Sequence, residues 1–134
     1  MKPLQILRGA AGAMLLMLGG GGASAQRPDP VAALNAVERG EWQLRETNGG
    51  LRKVCLGNPS TLIQIRHPGQ QCQYYVMDNG ARTATVRYTC AGHGQGRTTL
   101  TVETGKLIRL ETQGVADGSP FAEEYEGRLL GRCG

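Results

Sequence analysis

The sequence predicts an all-β protein: an antiparallel meander of about seven strands, closed or partly closed into a barrel, behind a short N-terminal helix. Three observations predict it. From Gly40 onward apolar and polar residues alternate with a period of two. Turn-forming clusters break this alternation at hairpin spacing, as at Asn48-Gly49-Gly50, Asp78-Asn79-Gly80 and Thr104-Gly105. Threonine is frequent on one face of the strands, the pattern of a sheet with one face in water and one on a core. Closing such a sheet into a barrel removes its exposed edges.

Residues 1–25 read as a secretory signal peptide. Lys2 and Arg8 start it, an apolar run covers Ala10–Leu18, and Ala23-Ser24-Ala25 forms an A-x-A site with the cut after Ala25. The apolar run is too short to span a bilayer. Residues 26–134 then form one β-rich domain. Export to the periplasm places Cys55, Cys72, Cys90 and Cys133 in an oxidising compartment, where they pair as two disulfides. Of fifteen Lys and Arg, Lys2 and Arg8 leave with the leader, so thirteen face eleven acidic residues, a net +2. That mild balance, with the basic residues scattered along the chain, argues against nucleic acid as a partner. With one Trp, four Tyr and one Phe, the core is mainly aliphatic.

Residues 29–39 read as the short helix, with Asp29 as cap, Pro30 in the first helical position and Gly40 as the stop. Leu34 and Val37 face the core. Trp42, Leu44 and Glu46 alternate with Glu41, Gln43 and Arg45 in the first strand, and Leu51–Leu56 is the second. Residues 57–71 read as a connection across one end of the sheet. A helical turn over Thr61–Ile65 supplies Leu62, Ile63 and Ile65 as contacts, and His67-Pro68-Gly69 ends it. Cys72, Tyr74 and Val76 then share a face, as do Ala84, Val86, Tyr88 and Cys90 on the return strand. Leu100 and Val102, then Ile108 and Leu110, continue the alternation. A loop over 113–120 leads to a last strand with Phe121, Tyr125 and Leu129 on one face.

The cysteine spacing contains no C-x-x-C, which excludes a zinc ribbon and a redox dithiol. Four cysteines allow three pairings. Cys72 and Cys90 share a face of one hairpin, which favours Cys72–Cys90 with Cys55–Cys133. Simple registers put Cys72 opposite Val86 or Tyr88, and a direct bridge then needs a diagonal pairing or a bulge. Counting strand directions also cuts against this pairing, because it puts Cys55, Cys72 and Cys90 at one rim and the end of the last strand at the other. Gly40-Glu41-Trp42 is a G-x-W opening the first strand. It resembles the barrel floor of calycin or lipocalin-type proteins, where an arginine of the last strand lies over the indole, here Arg128. The glycine-rich stretch Gly92–Gly96 reads as a hairpin loop, and His67 and His93 as surface histidines in loops. Ser60 and Ser119 sit beside prolines, outside any nucleophile elbow. Glu123, Glu124 and Glu126 read as a solvated edge. No catalytic group, metal site or cofactor site emerges.

Taken in order, Gly40-x-Trp42, Val54-Cys55-Leu56, Cys72, Cys90-x-Gly92-x-Gly94 and Tyr125-x-Gly127-Arg128-x-x-Gly131-x-Cys133 resemble the pattern of a family of small exported bacterial proteins, domain of unknown function 3617. The match runs over residues 38–133, although the connection between Cys55 and Cys72 is short and lacks the proline-rich or acidic stretch often found there. The resemblance implies export and a β-rich domain. It implies no activity, because that family carries no assigned function.

The expectation is therefore a non-enzymatic, disulfide-stapled monomer of the periplasm, with a small apolar ligand as the candidate occupant of its interior. The alternative is a structural or interaction module that docks on an envelope protein through a sheet edge or the Gly92–Gly96 loop. It requires an open sheet with an exposed edge and no interior cavity.

Overall fold

The alternation after Gly40 becomes seven strands in a computed structural model, which describes residues 29–134. The signal peptide read at 1–25 lies outside the described residues. The strands are β1 (Gly40–Glu46), β2 (Leu51–Leu56), β3 (Cys72–Asn79), β4 (Thr83–Cys90), β5 (Gly94–Thr104), β6 (Leu107–Ala116) and β7 (Ser119–Gly131). They form one sheet in the order β2-β1-β7-β6-β5-β4-β3, with every neighbouring pair antiparallel. The last strand thus returns to pair with the first, Trp42 opposite Leu129 and Leu44 opposite Gly127. The sheet does not close, because β2 and β3 are its two edges.

Parity explains where the sheet stays open. An odd number of strands cannot form a ring in which every neighbour is antiparallel. Here β1–β7 takes an antiparallel pairing, so the mismatch falls between β2 and β3, which run in the same direction. Their connection must therefore travel from the rim where β1 begins to the opposite rim. Residues 57–71 do so as a strap beginning with a 3-10 turn at Pro59–Leu62, where the Asn58 side chain accepts from the Ser60 amide. Leu62, Ile63, Ile65 and His67 of the strap are buried. The strap crosses between the rims, not along one end as its sequence suggested.

The same geometry decides the disulfides. Cys55 near the end of β2 and Cys133 beyond β7 meet at the first rim, while Cys72 and Cys90 pair across β3 and β4 at the other. The strand count that set Cys133 apart from Cys55 had assumed β2 and β3 to be antiparallel.

No N-terminal α-helix forms over 29–39. Asp29 does accept from the Val31 amide, but the helical stretch is a five-residue 3-10 turn, Ala32–Ala36, and Val37 is already extended. Val31, Ala33 and Leu34 are buried in the core of the sheet, and the Glu38 amide donates to the Gly105 carbonyl. Packing thus takes over before a second helical turn can add its hydrogen bonds. Gly40 is no helix stop. It lies in β1 with φ +147°, where a Cβ would collide with the Gly131 carbonyl at the β1–β7 bulge.

The expected loop at 113–120 is also absent. β6 and β7 continue to a two-residue turn, Asp117-Gly118, with both φ angles positive. This is the Asp-Gly hairpin turn that matches strand twist.

Candidate functional site

The inner faces of the strands are filled. Trp42, Leu44, Tyr88, Leu100, Ile108 and Leu110 are all buried, and the strap adds Leu62, Ile63 and Ile65 between them. The Trp42 indole donates to the Glu38 carbonyl at 2.9 Å. Arg128 does not cover it. Opposite Gln43 on β1, it projects from the other face and pairs with Glu126 at 3.0 Å. Consecutive residues of a strand point to opposite faces, so a residue beside Leu129 cannot share the side on which Leu129 meets Trp42.

His67 is not a surface residue; it is 3% exposed at the second rim. Nε2 faces the carbonyls of His93 (3.0 Å) and Val115 (3.2 Å), and Nδ1 lies 2.9 Å from the Tyr88 hydroxyl. Two carbonyls accept only from an N–H, so Nε2 carries a proton, and in the Nε2–H tautomer Nδ1 accepts from the Tyr88 hydroxyl. The Thr98 hydroxyl donates to the Ile63 carbonyl at 2.6 Å and lies 2.9 Å from that of Thr112. Burial pushes Tyr88 up to about 12, against a hydrogen bond from Thr112 that lowers it. These bonds hold the strap inside the sheet. Glu123 also faces inward, not along a solvated edge: it pairs with Arg66 and accepts from Tyr125, and the Arg66 guanidinium lies over the Phe121 ring at 5.2 Å. Burial and then the Glu123 carboxylate raise Tyr125 to about 12. His93 is exposed in the β4–β5 turn, 3.2 Å from the Asp117 carboxylate. Among the described residues no three His, Cys, Asp or Glu converge as a metal site.

The unfilled features lie outside. The edge strand β3 carries Tyr74, Tyr75, Val76 and Met77 in succession, 38%, 71%, 36% and 45% exposed. Its backbone pairs with β4 on one side, and no other backbone partner for residues 73–78 occurs among the described residues. One bulge, at Met77, interrupts an otherwise regular ladder from Cys72 to Val76. The other edge, β2, is blunted: it presents Arg52 and Lys53, and the Cys55–Cys133 bridge ties down its end.

Beside β3 the outer face is hollowed into an open groove of about 1110 Å³. Gly96 belongs to its floor, where a Cβ would collide with the Tyr88 ring. One row of opposed residues crosses the groove: Tyr75, Arg87, Arg97, Gln113 and Ala122. Arg87 and Arg97 stand directly opposite each other. Both are exposed, and neither makes an ion pair or hydrogen bond among the described residues. The adjoining row holds the hydrogen-bonded Thr85 and Thr99, then Glu111 opposite Glu124. Sequence reasoning missed this row. Positions 87 and 97 are symmetric about Gly92, so a hairpin centred there brings them together, and that symmetry was the available signal.

Comparison of the chain with protein-family models, with curated proteins and with solved structures finds no match.

Proposed function

We propose that this chain is a non-catalytic interaction module of the bacterial periplasm that docks, as a monomer, on an envelope protein by accepting an extended polypeptide segment along β3. The observation that carries it is the contrast between the edges. Charge and a disulfide guard β2, where Leu51 alone is a large exposed apolar residue, whereas β3 leaves Tyr75 and Met77 and a free ladder in water, with Tyr74 and Val76 partly exposed beside them. An unguarded edge of this kind is an aggregation hazard unless a partner covers it. Adding a strand satisfies its N–H and C=O groups, and alternate side chains supply specificity. The packed interior favours this reading over an apolar ligand held inside. The signal peptide read at 1–25 and the two disulfides support export. On the motifs from Gly40 to Cys133 we further propose membership of the domain of unknown function 3617 family.

The test is site-specific photocrosslinking in exporting cells. A benzoylphenylalanine at Tyr75 is expected to capture one discrete partner, and the same probe at Lys53 on β2 none. In that complex the amides of residues 73–78 exchange more slowly than in the free chain. Equal adducts at both edges, or none at Tyr75, refute the reading.

A further inference from the structure

We infer that the segment docking on β3 is acidic and places carboxylates over the Arg87–Arg97 pair; this rests on the docking reading above. Like charges directly opposite on neighbouring strands destabilise a sheet. Here two guanidiniums oppose each other and neither is ion-paired, although four Lys or Arg side chains pair with carboxylates elsewhere among the described residues. Arg97 has Glu111 and Glu124 in the adjoining row, and Arg87 has none in its own row. The repulsion is relieved when an anion arrives from outside, and a guanidinium fork matches a carboxylate in shape.

The position fits an edge-bound partner. Tyr75 opposes Arg87, so the groove runs from the free edge straight onto the arginines. A strand added beside β3 lies two strand spacings, about 9.6 Å, from β4. A glutamate opposite Tyr75 and the long Arg87 side chain can meet across that distance over the tyrosine ring, and a segment continuing into the groove reaches Arg97. The amides of Gln73, Gln95 and Gln113 flank the path and leave polar groups for a peptide backbone. Glu111 and Glu124 in the adjoining row repel a segment in the wrong register, which confines its acidic residues to the row of Arg87 and Arg97.

The experiment measures fluorescence anisotropy of the disulfide-intact chain with three labelled ten-residue peptides, alternating valine with glutamate, glutamine or lysine. The glutamate peptide is expected to bind at least tenfold more tightly than the glutamine peptide at low salt, with the gap closing as salt rises. R87E converts the opposed pair to Glu–Arg, at the position that has no glutamate in the adjoining row. It is therefore expected to raise Tm while weakening the glutamate peptide at least tenfold, a combination that loss of fold cannot produce. R87E/R97E is expected to prefer the lysine peptide. If glutamate and glutamine peptides bind equally and Y75K weakens both, the acidic inference is overturned and the docking reading stands. If no peptide binds and Tyr75 captures no partner in cells, the docking reading falls and the inference with it.

Discussion

At the scale of single residues, the groups that hold the strap are few, and their chemistry sets a pH dependence. Tyr88 donates to His67 from a buried position, and its hydroxyl is pushed up to about 12 from the usual 10. Its folded value lies above its unfolded one, so its contribution to stability is complete below pH 10 and is lost as pH rises toward 12. Tyr88→Phe removes the donor and leaves Nδ1 of His67 buried without one, at a cost of about 1–2 kcal/mol at neutral pH. Urea unfolding measured at pH 7 and above pH 10 checks both halves: the wild type is expected to lose its advantage over the variant in the alkaline series. The buried state of His67 was not legible in the sequence. A histidine before Pro-Gly looks like any loop residue, and the carbonyls that receive it come from His93 and Val115, distant along the chain. Arg87 and Arg97 were hidden for a related reason: they look scattered until the register of one hairpin is known.

At the scale of elements, legibility followed locality. The alternation in β4, β5 and β6 was readable because each strand has one wet and one dry face, and their burial patterns alternate accordingly. β3 alternates in sequence too, with Tyr74 and Val76 on the inward side, yet it is exposed nearly throughout because it is an edge. Edge status depends on the whole sheet order, which no local pattern contains. The expected helix failed because the burial of Val31, Ala33, Leu34 and Val37 outweighed a cap and a proline. The Asp117-Gly118 turn was present in the sequence but passed over among neighbouring Gly and Pro. Gly96 offers an element-scale prediction. Tyr88 opposes it in the β4–β5 pair and its ring occupies the space of a Cβ, so Gly96→Ala must push the ring or the strand aside. We expect a loss of about 1–3 kcal/mol in denaturant melts.

For the whole molecule, the two disulfides constrain the chain unequally. Cys72–Cys90 closes a separation of 18 residues and Cys55–Cys133 one of 78. The chain-entropy relation assigns them about 3 and about 4.5 kcal/mol at 25 °C. Replacing Cys55 and Cys133 by serine is therefore expected to lower the unfolding free energy more than replacing Cys72 and Cys90, as paired urea titrations will show. Composition made two disulfides legible, but the strand count misplaced the rims. The error lay in a global property: strand direction across an open sheet of seven.

That parity has a consequence in time. β3 to β7 are joined by short turns and assemble from near neighbours, but β1 must wait for β7, the latest of the seven strands in an N-to-C synthesis or export. Until then the early hairpin of β1 and β2 has no sheet to join. Cys72 and Cys90 meet within their own hairpin, while Cys55 has its native partner only once Cys133 has been made. The bridge at the first rim therefore closes after the one at the second, once β7 has paired with β1.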